Sequence, residues 1–244
     1  YIKKLTANNI FVINFEDLGE GAELTNLTIN ELYDDRLITG ENILWGKQYF
    51  FVREEFDDAK PNQFKENIDS LLIMFGGTDP NDYTRKILRA MKDDCQKKNI
   101  KIFVITGGGY SFIEELEEEI NQIKDVEIEY HHSMNVVSHI MEKVQIAITS
   151  NGRTAYELAH MNIPSIVLSH HERETTHKFT REENGHIPIG VYKGVNTEEE
   201  IRRKFEQLAT DNGYRKMLFE RMSSFQFTKN KEKVVDLIYS VLEH

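Results

Sequence analysis

Ile146-Ala147-Ile148-Thr149-Ser150-Asn151-Gly152-Arg153-Thr154-Ala155-Tyr156-Glu157-Leu158-Ala159 decides the fold of this chain. Four residues of apolar and β-branched character end in small polar residues and a glycine, and a helical pattern follows at once. A strand that turns into a helix in this way points backbone N–H groups, and the positive end of the helix dipole, at whatever lies beyond the turn. The ligand such a site suits is an anion, most often a phosphate. Glu157 falls one to two turns into the helix, where a carboxylate reaches the hydroxyls of a ribose. The segment alone therefore points to a nucleotide or a nucleotide sugar.

The same alternation extends upstream and downstream. Strand-like runs at Leu71–Phe75, Lys101–Thr106, Val126–Tyr130, Ile146–Thr149 and Pro164–Leu168 alternate with helical patterns through Ile87–Met91, Phe112–Ile123, Met134–Met141 and Thr154–Met161. Such alternation predicts an α/β fold, a parallel sheet covered on both faces and joined by right-handed crossovers. Ligands of such sheets bind at the carboxyl ends of the strands, where Gly76-Gly77, Gly107–Gly109 and Ser150-Asn151-Gly152 all fall. From Thr197 the chain reads as helical. Asn196 or Thr197 serves as cap, Glu198–Glu200 occupy the first turn, Gly213 marks a break, and Val234, Val235, Ile238 and Leu242 form a buried stripe. Ahead of residue 60 the runs Ile10–Asn14, Leu27–Ile29 and Tyr49–Val52 are too closely spaced for a whole α/β domain. Residues 1–65 are thus expected to be the C-terminal part of an N-terminal α/β domain with its linker. Residues 66–244 are expected to form a Rossmann-like domain with C-terminal helices.

Composition narrows the class of function. A net charge of −11 over 244 residues argues against general nucleic-acid binding, which needs clustered Lys and Arg. Acidity leaves room for a phosphorylated small ligand, because a helix N-terminus is a local positive field. The single cysteine, Cys95, excludes an intramolecular disulfide framework and suits a cytoplasmic protein. No apolar run approaches the roughly 20 residues of a membrane span. The histidines (His131, His132, His139, His170, His171 and His177) lack the i, i+4 spacing with a carboxylate that a zinc helix uses, so no metal is expected. Walker A, Gly-x-Ser-x-Gly and Gly-x-Gly-x-x-Gly patterns are all missing, and neither a nicotinamide nor another cofactor is expected.

Several blocks, taken with their order and spacing, resemble the nucleotide-sugar hydrolases of nonulosonic-acid biosynthesis. These are the UDP-sugar hydrolases of the pseudaminic-acid pathway and their spore-coat polysaccharide relatives, in the GT-B superfamily. The blocks are Phe15-Glu16-Asp17-Leu18, Leu27-Thr28-Ile29-Asn30, Tyr49–Phe56, Phe75-Gly76-Gly77-Thr78-Asp79-Pro80 and Ile148–Glu157 with Pro164. The resemblance implies two Rossmann-like domains with UDP held mainly by the C-terminal one. It places Gly76, Gly77 and Thr78 near the diphosphate, Ser150, Asn151, Gly152 and Thr154 in the phosphate turn, and Glu157 on the ribose. His132 and Met134 would lie against the base through main-chain groups. Relatives contact the sugar with an Asn-Gln pair after the fifth strand. Here that place reads Glu172-Arg173-Glu174-Thr175-Thr176-His177, which makes Arg173, Glu174 and His177 the sugar-side candidates. The family's catalytic histidine sits in a Gly-rich loop after the first strand of the N-terminal domain. No such loop is visible here, so the chain is expected to hold the nucleotide half of a site without its general base.

Simpler readings stand beside these. Ser150 or Asn151 serves equally as an ordinary helix cap, and Asp79 with Pro80 as the start of a helix. Gly107–Gly109 suits loop geometry better than ligand contact. For the whole chain the alternatives to a hydrolase are a glycosyltransferase using a UDP-sugar donor, and a non-catalytic module fused to or assembled with an upstream sugar-activating, cytidylyltransferase-type domain.

Overall fold

Every residue of Ser70–Met74, Ile146–Ser150 and Ser165–Ser169 is buried. That is the property of strands covered on both faces, and it accounts for their continuous apolar character in place of alternation. The computed structural model describes residues 1–243. In chain order, α1 (Ile2–Thr6), β1 (Ile13–Phe15), β2 (Leu27–Asn30) and β3 (Ile43–Trp45) come first. They are followed by β4 (Ser70–Met74), α2 (Tyr83–Lys98), β5 (Lys101–Thr106), α3 (Ile113–Gln122), β6 (Ile128–His132) and α4 (Ser138–Met141). Then come β7 (Ile146–Ser150), α5 (Arg153–His160), β8 (Ser165–Ser169), β9 (His186–Val191), α6 (Val195–Thr210), α7 (Asn212–Met222) and α8 (Asn230–Leu242).

Two compact units result. One contains Tyr1–Glu54, Thr176–Phe179 and the stretch from Gln226; the other contains Glu55–Thr175 and Thr180–Phe225. The first unit holds a parallel sheet in the order β1-β2-β3. Leu27 and Ile29 of β2 pack with Val234 of α8, and Leu237, Ile238 and Val241 join them. This differs from the expected stripe. Val234, Leu237, Ile238 and Val241 share one helical face, whereas Val235 and Leu242, about 100° and 80° round from Val234, are largely exposed. Tyr49–Val52 forms no strand either; β3 lies just upstream, and Trp45 is buried in it.

The second unit holds six parallel strands in the order β6-β5-β4-β7-β8-β9. Strands are added outward from β4 in one direction and from β7 in the other, which is the doubly wound pattern. Its core runs from Leu71, Ile73, Ile146 and Ile148 to Ile87, Leu88 and Met91 of α2 and Ile201, Phe205 and Leu208 of α6. β9 was not anticipated: Pro188 and Gly190 interrupt its apolar run. Proline is tolerated there because β9 is an edge strand, with a register shift against β8 at Val167/Leu168. α2 begins at Tyr83, three residues after Pro80, and the α6–α7 break falls at Asp211, whose carboxylate accepts from Tyr214 N at 2.9 Å. α6 starts one residue ahead of the expected cap, after Gly194 at φ +76°.

Candidate functional site

β4 and β7 are neighbours in register, Met74 opposite Thr149, yet their following strands depart to opposite sides. The loops leaving their carboxyl ends therefore diverge and leave a crevice, the place where sheets of this kind hold ligands. Gly76 lines the β4 side with φ +77°, a left-handed backbone that a side chain strains. A Cβ built on it lies 3.6 Å from the Ser150 hydroxyl, so the two strand ends meet there. Cβ positions at Gly77 and Gly152 have no heavy atom within 4 Å, so the side-chain direction of each is empty. Gly107 has another task. A Cβ on it falls 2.4 Å from the Gly77 carbonyl oxygen, and Gly109 N donates to that same oxygen at 3.0 Å. The glycines after β5 are thus there so that one loop can lie on Gly77-Thr78.

The two helices that follow these strands start differently. Asp79 is buried, and its two carboxylate oxygens accept from Tyr83 N (2.9 Å) and Thr84 N (2.8 Å) in the first turn of α2. A carboxylate already sits on that positive end, so α2 offers little to a second anion. α5 follows Gly152, an N-cap residue with no side chain to place on the helix start. Thr154 and Glu157 are buried on α5, and Ser150 is buried at the end of β7.

Asn151 turns away from the crevice. Its side-chain amide donates to Glu174 O (2.7 Å) and its carbonyl accepts from the Thr180 hydroxyl (3.0 Å), while Asn151 N donates to Leu168 O (2.8 Å). It holds the loop after β8 in place. In that loop Glu174 also accepts, through Oε2, from His170 N at 2.7 Å. The His170 ring lies parallel to the buried Tyr83 ring, with centroids 4.9 Å apart, and Asn81 Nδ2 donates to its carbonyl at 3.0 Å. Burial raises the Tyr83 phenol above its ordinary range. Tyr192 is pushed up to about 12 by burial and by its hydrogen bond to Glu198, so both stay protonated donors. None of Asp79, Asn81 or Tyr83 was singled out in the sequence as holding this loop. Their partners are up to 89 residues away, and only the fold brings them together.

The other candidates are more dispersed. His132 ends β6 on the far side of β5, exposed, with Nδ1 3.1 Å from the Thr106 hydroxyl; Met134 follows it, half-buried. Arg173 is exposed on the short helical turn after β8. His177 falls in the first unit, edge-on to Tyr33 at 4.8 Å. Among the described residues no group of three His, Cys, Asp or Glu is placed to hold a metal ion, and no helix is long and apolar enough to cross a membrane.

No protein-family model matches the chain. It is 26% identical over 151 residues to an uncharacterized protein of Methanocaldococcus jannaschii, covering 59% of this chain and 31% of that one. It is 24% identical over 199 residues to the spore coat polysaccharide biosynthesis protein SpsG of Bacillus subtilis, covering 78% of this chain and 58% of the relative. The chain thus spans about a third and somewhat more than half of the lengths of these two relatives. Among solved structures it is similar to a UDP co-structure of MnaA from S. aureus. The TM-score is 0.70 at 13% identity, covering 99% of this chain and 72% of that one. The fold is a GT-B-like α/β fold.

Proposed function

We propose that the carboxyl ends of β4 and β7 hold the diphosphate of a UDP-sugar, in a protein of surface-polysaccharide or nonulosonic-acid synthesis. The observation that carries this reading is the contrast between two helix starts at one crevice. α2 is closed by its own Asp79, whereas α5 starts after Gly152, which has no side chain to cap it, and a Cβ at Gly77 or Gly152 meets no heavy atom within 4 Å. Main-chain amides at Gly152 and Thr154, with the Ser150 hydroxyl, take the phosphate oxygens, and Glu157, a turn further on from Thr154, takes the ribose hydroxyls. Main-chain groups around His132 and Met134, on the β5–β6 side, take the base. Gly76, Gly77 and Thr78 close over the diphosphate from β4.

The chemistry we infer is scission of the anomeric C–O bond. Water attacks the anomeric carbon from the face opposite the nucleotide, and the electron pair of the broken bond leaves on UDP. Backbone amides and the α5 dipole stabilise the charge that develops there, without a metal. The sequence blocks shared with UDP-sugar hydrolases and the similarity to a spore coat polysaccharide protein support this choice. The general base is not assigned to any residue of the second unit.

Titration calorimetry with UDP and UMP tests the site. UDP is expected to bind more tightly than UMP, since the second phosphate engages the α5 amides. No heat with UDP at millimolar concentration would overturn the assignment.

A further inference from the structure

Under the reading proposed above, different parts of a nucleotide sugar meet different strand ends. With the base against the loops after β5 and β6, and the diphosphate at the β4/β7 crevice, the glycosyl group falls to the loop after β8, which pairs with β7. That loop is tied at both ends. Asp79 caps the turn that carries Tyr83, and the Tyr83 hydroxyl donates to Ser169 O at 3.3 Å. The His170 ring lies on the Tyr83 ring, tilted by only 5°. His170 N donates to Glu174, and Glu174 O accepts from Asn151, which leads into α5. Lys86 reinforces the platform. Its ammonium donates to Asn81 O at 2.7 Å and lies over the rings of Tyr83 and Tyr192, 5.7 and 5.2 Å from their centroids.

We propose that the Tyr83–His170 stack is a positioning device that presets the loop after β8 for the glycosyl part of the ligand. It acts through Glu174 and Asn151 and does not itself touch the ligand. The inference rests on the UDP-sugar reading above. If it holds, the stack contributes to affinity only when a sugar is attached to the diphosphate.

The test is calorimetry of the whole chain with UDP and with UDP-N-acetylglucosamine, for wild type, His170→Ala and His170→Phe. The loss of one stacked pair predicts that His170→Ala weakens UDP-N-acetylglucosamine about two- to tenfold and leaves UDP within about twofold. His170→Phe, which keeps the ring, should restore most of the difference. Tyr83→Leu repeats the Ala result from the other side of the stack, with a melting curve to show that it folds. Equal losses for both ligands, or none for either, overturn the positioning role while leaving the nucleotide site standing. A wild-type chain that binds neither ligand overturns both.

Discussion

Gly152→Asp separates a phosphate site from an ordinary strand-to-helix turn. The backbone at Gly152 is extended (φ −133°, ψ −154°), open to any residue, and a Cβ there meets no heavy atom within 4 Å. The new carboxylate is then free to fold onto the first-turn amides of α5, as Asp79 does on α2. For the free protein this is mildly favourable: aspartate at an N-cap in place of glycine is worth a few tenths of a kcal/mol. The melting temperature should therefore hold or rise slightly. For a bound diphosphate it is costly. One unit charge roughly 5 Å from another costs about 1 kcal/mol at the dielectric of water and about 3 kcal/mol at an effective dielectric near 20. UDP affinity should fall roughly 5- to 150-fold on that account. Gly152→Asn has nearly the same volume and the same capping ability without the charge, so the difference between the two variants isolates the electrostatic term. The assay is calorimetry with UDP at two salt concentrations, beside thermal melts. If Gly152→Asp melts like wild type and binds UDP as tightly as Gly152→Asn, the α5 start does not hold phosphate.

Two further expectations concern stability. Arg215 is buried with its guanidinium donating to Leu208 O (2.6 Å), Lys65 O (2.8 Å) and Glu66 O (2.7 Å), over the Phe64 ring. Arg215→Met strips the donors from three inward-facing carbonyls and should lower the unfolding free energy by about 3 kcal/mol in urea titrations, with Arg215→Lys recovering only part. His186 is fully buried beside the Ser165 hydroxyl (2.7 Å), and burial pushes its pKa down to about 3. The unfolded chain takes up that proton near pH 6.5. Stability from this group is complete above that pH and is lost as pH falls toward 3, by at most about 1.4 kcal/mol per pH unit. Urea midpoints between pH 7.5 and 5 should fall in wild type and fall less in His186→Gln; equal slopes would refute the assignment to His186.

The central sheet was legible because full burial forces Leu71–Met74 and Ile146–Ile148 to be apolar without a break, and glycines mark where they stop. Elements at the margins lacked that signal. β3 has only Ile43, Leu44 and Trp45, and β9 alternates His186, Pro188 and Gly190 with its apolar residues. Of the expected α8 stripe, Val234 and Ile238 face the sheet, whereas Val235 and Leu242 do not and Leu237 and Val241 take their place; α8 is apolar at all six positions, and only the partner sheet selects the face. At the strand ends, the loop role of Gly107–Gly109 could be read from glycine. Side-chain roles could not: Asn151 looks like a ligand contact, yet its partners are the Glu174 carbonyl and Thr180, far along the chain.

Volume alone would place a ligand elsewhere. A cleft of about 560 Å³ opens at the amino ends of β4 and β5, lined by Asp69, Ser70, Lys101, Glu127 and Lys143 among others. One of its cations is already answered: Lys101 pairs with Glu127 and with Glu129, each at 2.7 Å. Strand amino ends lead into no helix start, so no row of amides is directed there, and an anion at Lys101 would have to break its existing pairs. At the carboxyl ends the opposite holds. A turn of small residues leads into a helix whose N-cap is Gly152, and a Cβ at Gly77 or Gly152 meets no heavy atom within 4 Å. Preorganised donors decide the location of an anion site more strongly than space does.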